Sequence, residues 1–319
     1  MTQQSFVKLR QNFWNEFENT VRGGRKAIKN RAADFPKDYR ELTGDLNTAR
    51  ANGFDPSIIE RLNALVLEGN EILYGSRSFS LWGAANFVLK VFPAAVRSRW
   101  RSLGASLLIF YGLAFFSCLI CVVYPDMVYE FLGAMTAGSI ETMYDPESPH
   151  FLTPRNVSSD ADMFGFYIYN NISIAFRTFA GGILAGFGSL LFLMFNAVFL
   201  GAAAGHIINL GFENTFFPFI IAHGAFELNA IVFSAQAGLL LGYRLFITRG
   251  LTRGASIKEA GKSALPIIAG AALMLFIAAC IEAFWSSRYH LPLALRYGAG
   301  AAVWVLVLVY FVFAGREKK

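Results

Sequence analysis

The sequence predicts an all-α fold: a polytopic helical membrane protein with about six membrane crossings and an N-terminal cytoplasmic helical domain. Three observations carry this. Of 319 residues, 55% are hydrophobic and only 16% are charged, whereas a soluble domain carries about a quarter charged residues. Several separate runs reach the roughly 20 apolar residues that a spanning helix needs, and mean hydropathy is +0.44. The net charge of +6 is unevenly spread. Lys and Arg crowd the residues before the first apolar run, the segment 244–262, and the tail Arg316, Lys318 and Lys319, while acidic residues crowd 126–162. By the positive-inside rule the basic segments are cytoplasmic, which places both termini on that side. The expected plan is a cytoplasmic helical domain with an interfacial helix over 1–100, then a transmembrane domain over 101–319 that includes an extracytoplasmic segment, 126–163.

The opening MTQQSFVKLRQNFWNEF is charged throughout and does not read as a cleavable signal peptide. Phe6, Leu9, Phe13 and Phe17 repeat at helical spacing, as do Tyr39, Leu42 and Leu46. Asp55-Pro56 is a helix start, with Asp as N-cap and Pro in the first turn. Ile59, Leu62, Val66 and Leu73 form the apolar stripe that follows. The stretch 78–100 mixes Phe79, Leu81, Trp82, Phe87 and Phe92 with Lys90, Arg97 and Arg99, a composition suited to the bilayer interface.

The first span is expected near 103–124. Its C-x-x-C, Cys118 and Cys121, lies inside an apolar run and reads as two packed residues rather than a redox or zinc site. Beyond it, 127–144 suggests a short helix on the outer surface, followed by a Pro- and Ser-rich loop. The second span begins near 164 and carries Asn170, Asn171 and Arg177. A glycine-rich bend leads to the third, with Asn196 and His206. Three small-xxx-small pairs, Gly182/Gly186, Gly201/Gly205 and Gly238/Gly242, allow helices to approach closely. They motivate the expectation of a homodimer. The fifth span is expected near 263–284 and the last near 297–314.

The most informative stretch is 216–243. It is membrane-embedded by composition, yet holds His223, Glu227, Asn229 and Gln236. His223 and Glu227 are four apart, which puts them on one helix face. Pro218 and Gly224 predict a broken or re-entrant start. Ionisable groups at membrane depth need partners or water. The expected intramembrane polar site is therefore His223, Glu227, Asn170, Asn171, Asn196, Glu282, Asn229 and Gln236, with Asn170, Asn171, Asn196, His223, Glu227 and Glu282 converging between helices.

With these residues in place, the chain resembles the stage II sporulation protein M family of bacterial integral membrane proteins. FPKDYRELTGDLNTARANGF, IERLNALV and ILYG are similar to that family's cytoplasmic N-terminal region. NNISIAFRTFAGGILAGFGS, the Asn196 position, AHGAFELNAIVFSAQAGLLLG and IEAFWS are similar to its membrane signature. Two departures stand out: Ala197 follows Asn196 and Ala222 precedes His223 where the family often has Gly. The resemblance implies a multi-pass protein of the bacterial inner membrane that scaffolds other envelope proteins, as the namesake holds peptidoglycan-degrading enzymes. Relatives encoded beside MoxR-type AAA ATPases and von Willebrand factor A domain proteins suggest those as partners.

The chemistry of the residues points the same way. A zinc protease signature is H-E-x-x-H, whereas here the pattern is H-x-x-x-E, and no Gly-x-Ser-x-Gly elbow accompanies it. The reading adopted is a non-enzymatic membrane scaffold with no catalytic residues, no cofactor and no metal. Membrane lipids and envelope proteins are its expected partners, and nucleic acid is not, since Arg is interspersed with Glu and Asp. The alternatives are a transporter or channel built on His223 and Glu227, and an intramembrane enzyme, which has less support.

Overall fold

The computed structural model describes residues 2–24, 27, 28, 31–74, 81–148 and 157–316, and among these the regular structure is entirely helical. The all-α expectation holds. The chain divides into two compact units, Met1–Leu81 and Trp82–Lys319. The boundary falls earlier than residue 100, because the stretch after it packs into the second unit: Phe92 and Val96 belong to that unit's core.

The first unit contains α1 (Gln3–Arg22), α2 (Phe35–Ala51) and α3 (Pro56–Tyr74). Of the apolar faces read from the sequence, Phe6, Phe17, Leu42, Leu46 and Leu62 are buried in one core with Trp14, Phe35 and Leu65, and Phe13, Tyr39, Ile59, Val66 and Leu73 pack against it, whereas Leu9 is exposed. Asp55 begins α3, its Oδ1 accepting from the Ser57 amide at 2.9 Å. One buried acid ties α1 to α2. Asp45 Oδ2 accepts from Arg10 Nε and from Trp14 Nε1, each at 2.8 Å.

The second unit opens with α4 (Leu81–Asn86), which begins in the first unit and runs into a π turn, Phe87–Val91, and α5 (Phe92–Ser98). Trp82 and Leu89 are exposed while the Phe92 ring is buried, 5.4 Å from the Phe311 ring. Arg97 donates to the Phe311 carbonyl at 2.7 Å and to that of Ala314, which satisfies carbonyls left open at the end of the last helix. An amphipathic stretch of this kind suits the bilayer interface.

The bundle then comprises α6 (Trp100–Val123), α9 (Val157–Ala180), α10 (Phe187–Leu210), α11 (Glu213–Phe246), α12 (Arg253–Ile281) and α13 (Leu293–Phe313), with α7 (Met127–Leu132) and α8 (Ala134–Tyr144) between the first two. All but α9 of the six bundle helices are long and apolar enough to cross a membrane. α9 occupies the place of the sixth expected crossing but falls short of that measure. Its length of about 36 Å suits one, but Asp160, Asp162, Asn170, Asn171 and Arg177 keep its apolarity below that of the others.

Helix α11 is the centre, with 67% of its apolar window buried inside the protein. The expectation of a broken or re-entrant start is not met: α11 is one continuous helix of 34 residues, about 51 Å long. Pro218 lies inside the helix in its second turn, where it removes one backbone hydrogen bond without interrupting the helix, and Gly224 stays helical. At the other end Arg244 is buried, its Nη2 2.7 Å from Glu259 Oε2, while Ser256 Oγ donates to the Arg244 carbonyl. The connector between α11 and α12 is thereby tied down.

The small-residue pairs are used within the chain. A Cβ on Gly182 would meet the Gly238 carbonyl oxygen at 2.2 Å, and one on Gly201 would meet the Ala114 carbonyl oxygen at 2.1 Å. These faces join α9 to α11 and α10 to α6. The homodimer expectation thus loses the observation that motivates it.

Asp45→Ala should destabilise the first unit by roughly 1–3 kcal/mol, because it leaves the buried Trp14 indole N–H without its acceptor and takes from Arg10 one of its two carboxylate partners, Glu41 remaining at 2.7 Å. Hydrogen exchange of the full chain in detergent should show α1 and α2 losing protection while α11 keeps its own. Equal protection before and after the substitution would contradict the assigned role of Asp45.

Candidate functional site

Three helices and one π turn build the site. His223 and Glu227 lie one turn apart on α11, and His223 Nε2 is 3.9 Å from Glu227 Oε2. Helix α12 ends in a π turn, Glu282–Ser286, that carries two more members. Ser286 Oγ lies 3.0 Å from His223 Nδ1, which fixes the ring and leaves Nε2 facing the carboxylates. Ligand-type atoms of His223, Glu227 and Glu282 all lie within 4.8 Å of one another. The third wall is α9, where Asn170 Nδ2 donates to Asn171 Oδ1 at 3.1 Å. Asn171 is 3% exposed. Its own Nδ2 is directed at Glu227 yet closes no hydrogen bond at normal length.

These groups line one cavity of about 330 Å³, together with Asn196, Tyr144, Tyr167 and Phe219. Asn196, on α10, donates to the Phe192 carbonyl at 2.7 Å, a bond within its own helix. The six residues Asn170, Asn171, Asn196, His223, Glu227 and Glu282, read from four separate sequence stretches, therefore share one cavity. Asn229 and Gln236 do not. Asn229 Nδ2 donates to the Ala225 carbonyl, and Gln236 Nε2 donates to the Val96 carbonyl, both at 2.9 Å or less. Gln236 joins α11 to α5 and is a packing residue. His206 also stands apart, paired with Glu141 at 2.7 Å.

Sequence reasoning missed several contributors. Ser286 sits inside the IEAFWS motif but carried no signal of its own, since a lone Ser in a membrane helix commonly bonds back to its own backbone. Tyr144 reaches the cavity from α8, outside the bundle helices. Arg296, 2% exposed, donates from Nη2 to the Ser286 carbonyl at 3.0 Å and lies 5.2 Å from the Tyr289 ring. Asp160, also buried, is met by Arg288 Nη2 at 2.8 Å.

The arrangement brings an imidazole with one open nitrogen, two carboxylates and three amides to one enclosed space. That set can hold a cation, share protons between acids, or hold ordered water. It lacks a second histidine on the helix turn of His223, but Glu282 could supply a third ligand from the π turn that ends α12.

Two family models match the chain. One, described as Stage II sporulation protein M, covers residues 105–287; the other, described as a domain of unknown function (DUF8413), covers residues 4–75. Searches of curated proteins and of solved structures gave no match.

Asn171→Asp tests the placement. It sets a carboxylate against Glu227 and should lower stability in metal-free detergent by about 1–3 kcal/mol more than Asn171→Ala does, since like charges at close range are costly away from water. If thermal unfolding gives the two variants the same midpoint, Asn171 does not face Glu227.

Proposed function

We propose a function from one premise: the chain belongs to the Stage II sporulation protein M family. It is a non-enzymatic membrane scaffold that organises partner proteins at the bacterial inner membrane. The observation that carries this reading is modularity. The first unit has its own aromatic core and its own buried Arg10–Asp45–Trp14 link, and a separate family model covers it. A self-contained helical module on a multi-pass anchor is suited to recruiting proteins to a membrane. Envelope or peptidoglycan-remodelling proteins are the proposed clients, or a complex of a MoxR-type AAA ATPase with von Willebrand factor A domain proteins.

The proposed orientation puts the first unit, the connector from Arg244 to Lys262 and the C-terminus in the cytoplasm, with the helices α7 and α8 outside. It rests on the segregation of basic and acidic residues. A cysteine placed at position 255 in a chain lacking its native cysteines should resist an impermeant thiol reagent in intact cells and react after lysis. Labelling in intact cells would overturn the orientation.

A second reading, transport through the bundle, is favoured by the polar cavity, since polar groups at membrane depth commonly mark ion or proton paths. The two readings separate on one pair of variants. In the scaffold reading, Leu9→Glu with Leu67→Glu should abolish co-purification of the MoxR-type ATPase, because these leucines are exposed at 67% and 60% on the first unit. Glu227→Gln should leave that complex intact. Retention of the ATPase by the double variant, with loss of ion uptake into proteoliposomes by Glu227→Gln, would favour transport instead.

A further inference from the structure

The cluster at the end of α12 has a composition and charge that the scaffold reading does not use. We propose that it is a binding site for one divalent transition cation, held by His223 Nε2 and by carboxylate oxygens of Glu227 and Glu282. The proposal stands independently of the scaffold reading.

The first ground is charge. Two carboxylates and a neutral imidazole sum to −2 when both acids are ionised, a costly state inside an apolar bundle. A divalent cation brings the site to neutrality with its charges in contact.

The second ground is geometry. In a tetrahedral site with bonds of about 2.0–2.2 Å, ligand atoms lie about 3.4 Å apart. The ligand atoms here lie within 4.8 Å of one another, and the His223–Glu227 pair is 3.9 Å apart. The remaining approach falls to Glu227 and Glu282, whose side chains each turn about three torsions.

The third ground is the surrounding shell. Metal-binding histidines are held through their other ring nitrogen, and ligating carboxylates are themselves hydrogen-bonded. Ser286 Oγ already sits 3.0 Å from His223 Nδ1. Asn171 Nδ2, buried and without a bond of normal length, is directed at Glu227. It is placed to donate to the Glu227 oxygen that turns away from the ion. The cavity of about 330 Å³ leaves an open coordination position facing a space for several waters.

The ligand set also selects the ion. Imidazole with carboxylates suits Zn²⁺, Mn²⁺ or Fe²⁺, whereas Mg²⁺ and Ca²⁺ prefer oxygen alone. The likeness to a metalloprotease ends at the ligands, since the two on α11 are His and Glu four apart rather than a histidine pair. From the sequence, His223, Glu227, His206 and Glu282 are conceivable ligands, set aside for want of a second histidine beside His223; the structure brings Glu282 to the pair, while His206 pairs with Glu141 instead.

The test uses the full chain purified in detergent and stripped with a chelator. Equilibrium dialysis against Zn²⁺, Mn²⁺ and Mg²⁺, with bound metal counted by mass spectrometry, should give one Zn²⁺ or Mn²⁺ per chain and no stoichiometric Mg²⁺. His223→Ala, Glu227→Gln and Glu282→Gln should each weaken the uptake at least about tenfold. His206→Ala, which removes the histidine paired with Glu141, should leave it unchanged. Absence of stoichiometric uptake, indifference to all three ligand variants, or loss in His206→Ala would overturn the proposal. Co²⁺ bound to the wild-type chain gives a readout that needs no variant. Intense visible bands of a four- or five-coordinate ion with one nitrogen ligand support the site, and the weak spectrum of hydrated Co²⁺ counts against it.

Discussion

The bundle depends on how closely its backbones approach at Gly182 and Gly238. A single Cβ on Gly182 would lie 2.2 Å from the Gly238 carbonyl oxygen, and one on Gly238 would strike Ser189 Oγ. Within a bilayer, apolar surface gains little by leaving lipid, so helices associate through close packing and polar bonds. The glycines supply the first. By seating the end of α9 against α11, they bring the asparagine pair of α9 to the face of α11 that carries Glu227. Ser189 adds the second, donating from Oγ to the Thr178 carbonyl at 2.6 Å. The polar cavity is thus a consequence of packing elsewhere along the same helices.

That packing is asymmetric. Around Gly238 and Gly242 α11 meets neighbouring backbone directly, while at the level of His223 and Glu227 the surrounding helices leave a cavity. Polar residues in the tight part are answered by protein: Gln236 by the Val96 carbonyl, Ser234 by the Ala230 carbonyl. Those in the loose part line a cavity. The same chemical group therefore has two roles along one helix, decided by the distance to the next backbone rather than by its own identity.

This is also why some of the structure was legible in the sequence and some was not. The pair His223 and Glu227 was readable from spacing alone, because four residues make one turn of any helix. Five of the six expected crossings follow from length and apolarity, and much of the core of the first unit from its aromatic periodicity. What failed were inferences that needed a neighbour. Pro218 and Gly224 suggest a break, but α11 runs through both without interruption, since packing on its neighbours holds it helical. The small-xxx-small pairs correctly announced close contacts without saying with which helix. Asn229 and Gln236 were grouped with the site because they share its helix, yet they face other neighbours. Ser286 and Arg296 were invisible for the complementary reason, since each matters only through a residue far along the chain.

The π turn at Glu282–Ser286 shows how those distant residues act together. A π turn admits one extra residue into a helix and is often found at functional sites. Here it closes α12, where carbonyls are already losing their helical partners. One of them, on Ser286, accepts from the buried Arg296 of α13, while the Ser286 hydroxyl bonds His223 of α11. A single residue thereby ties the end of α12 to the central helix through its side chain and to the last helix through its backbone. Glu282, at the start of the same turn, is carried with it. Arg296 thereby helps to hold the turn that carries the second carboxylate. A guanidinium placed among the acids would have filled the role that the geometry leaves to a bound ion.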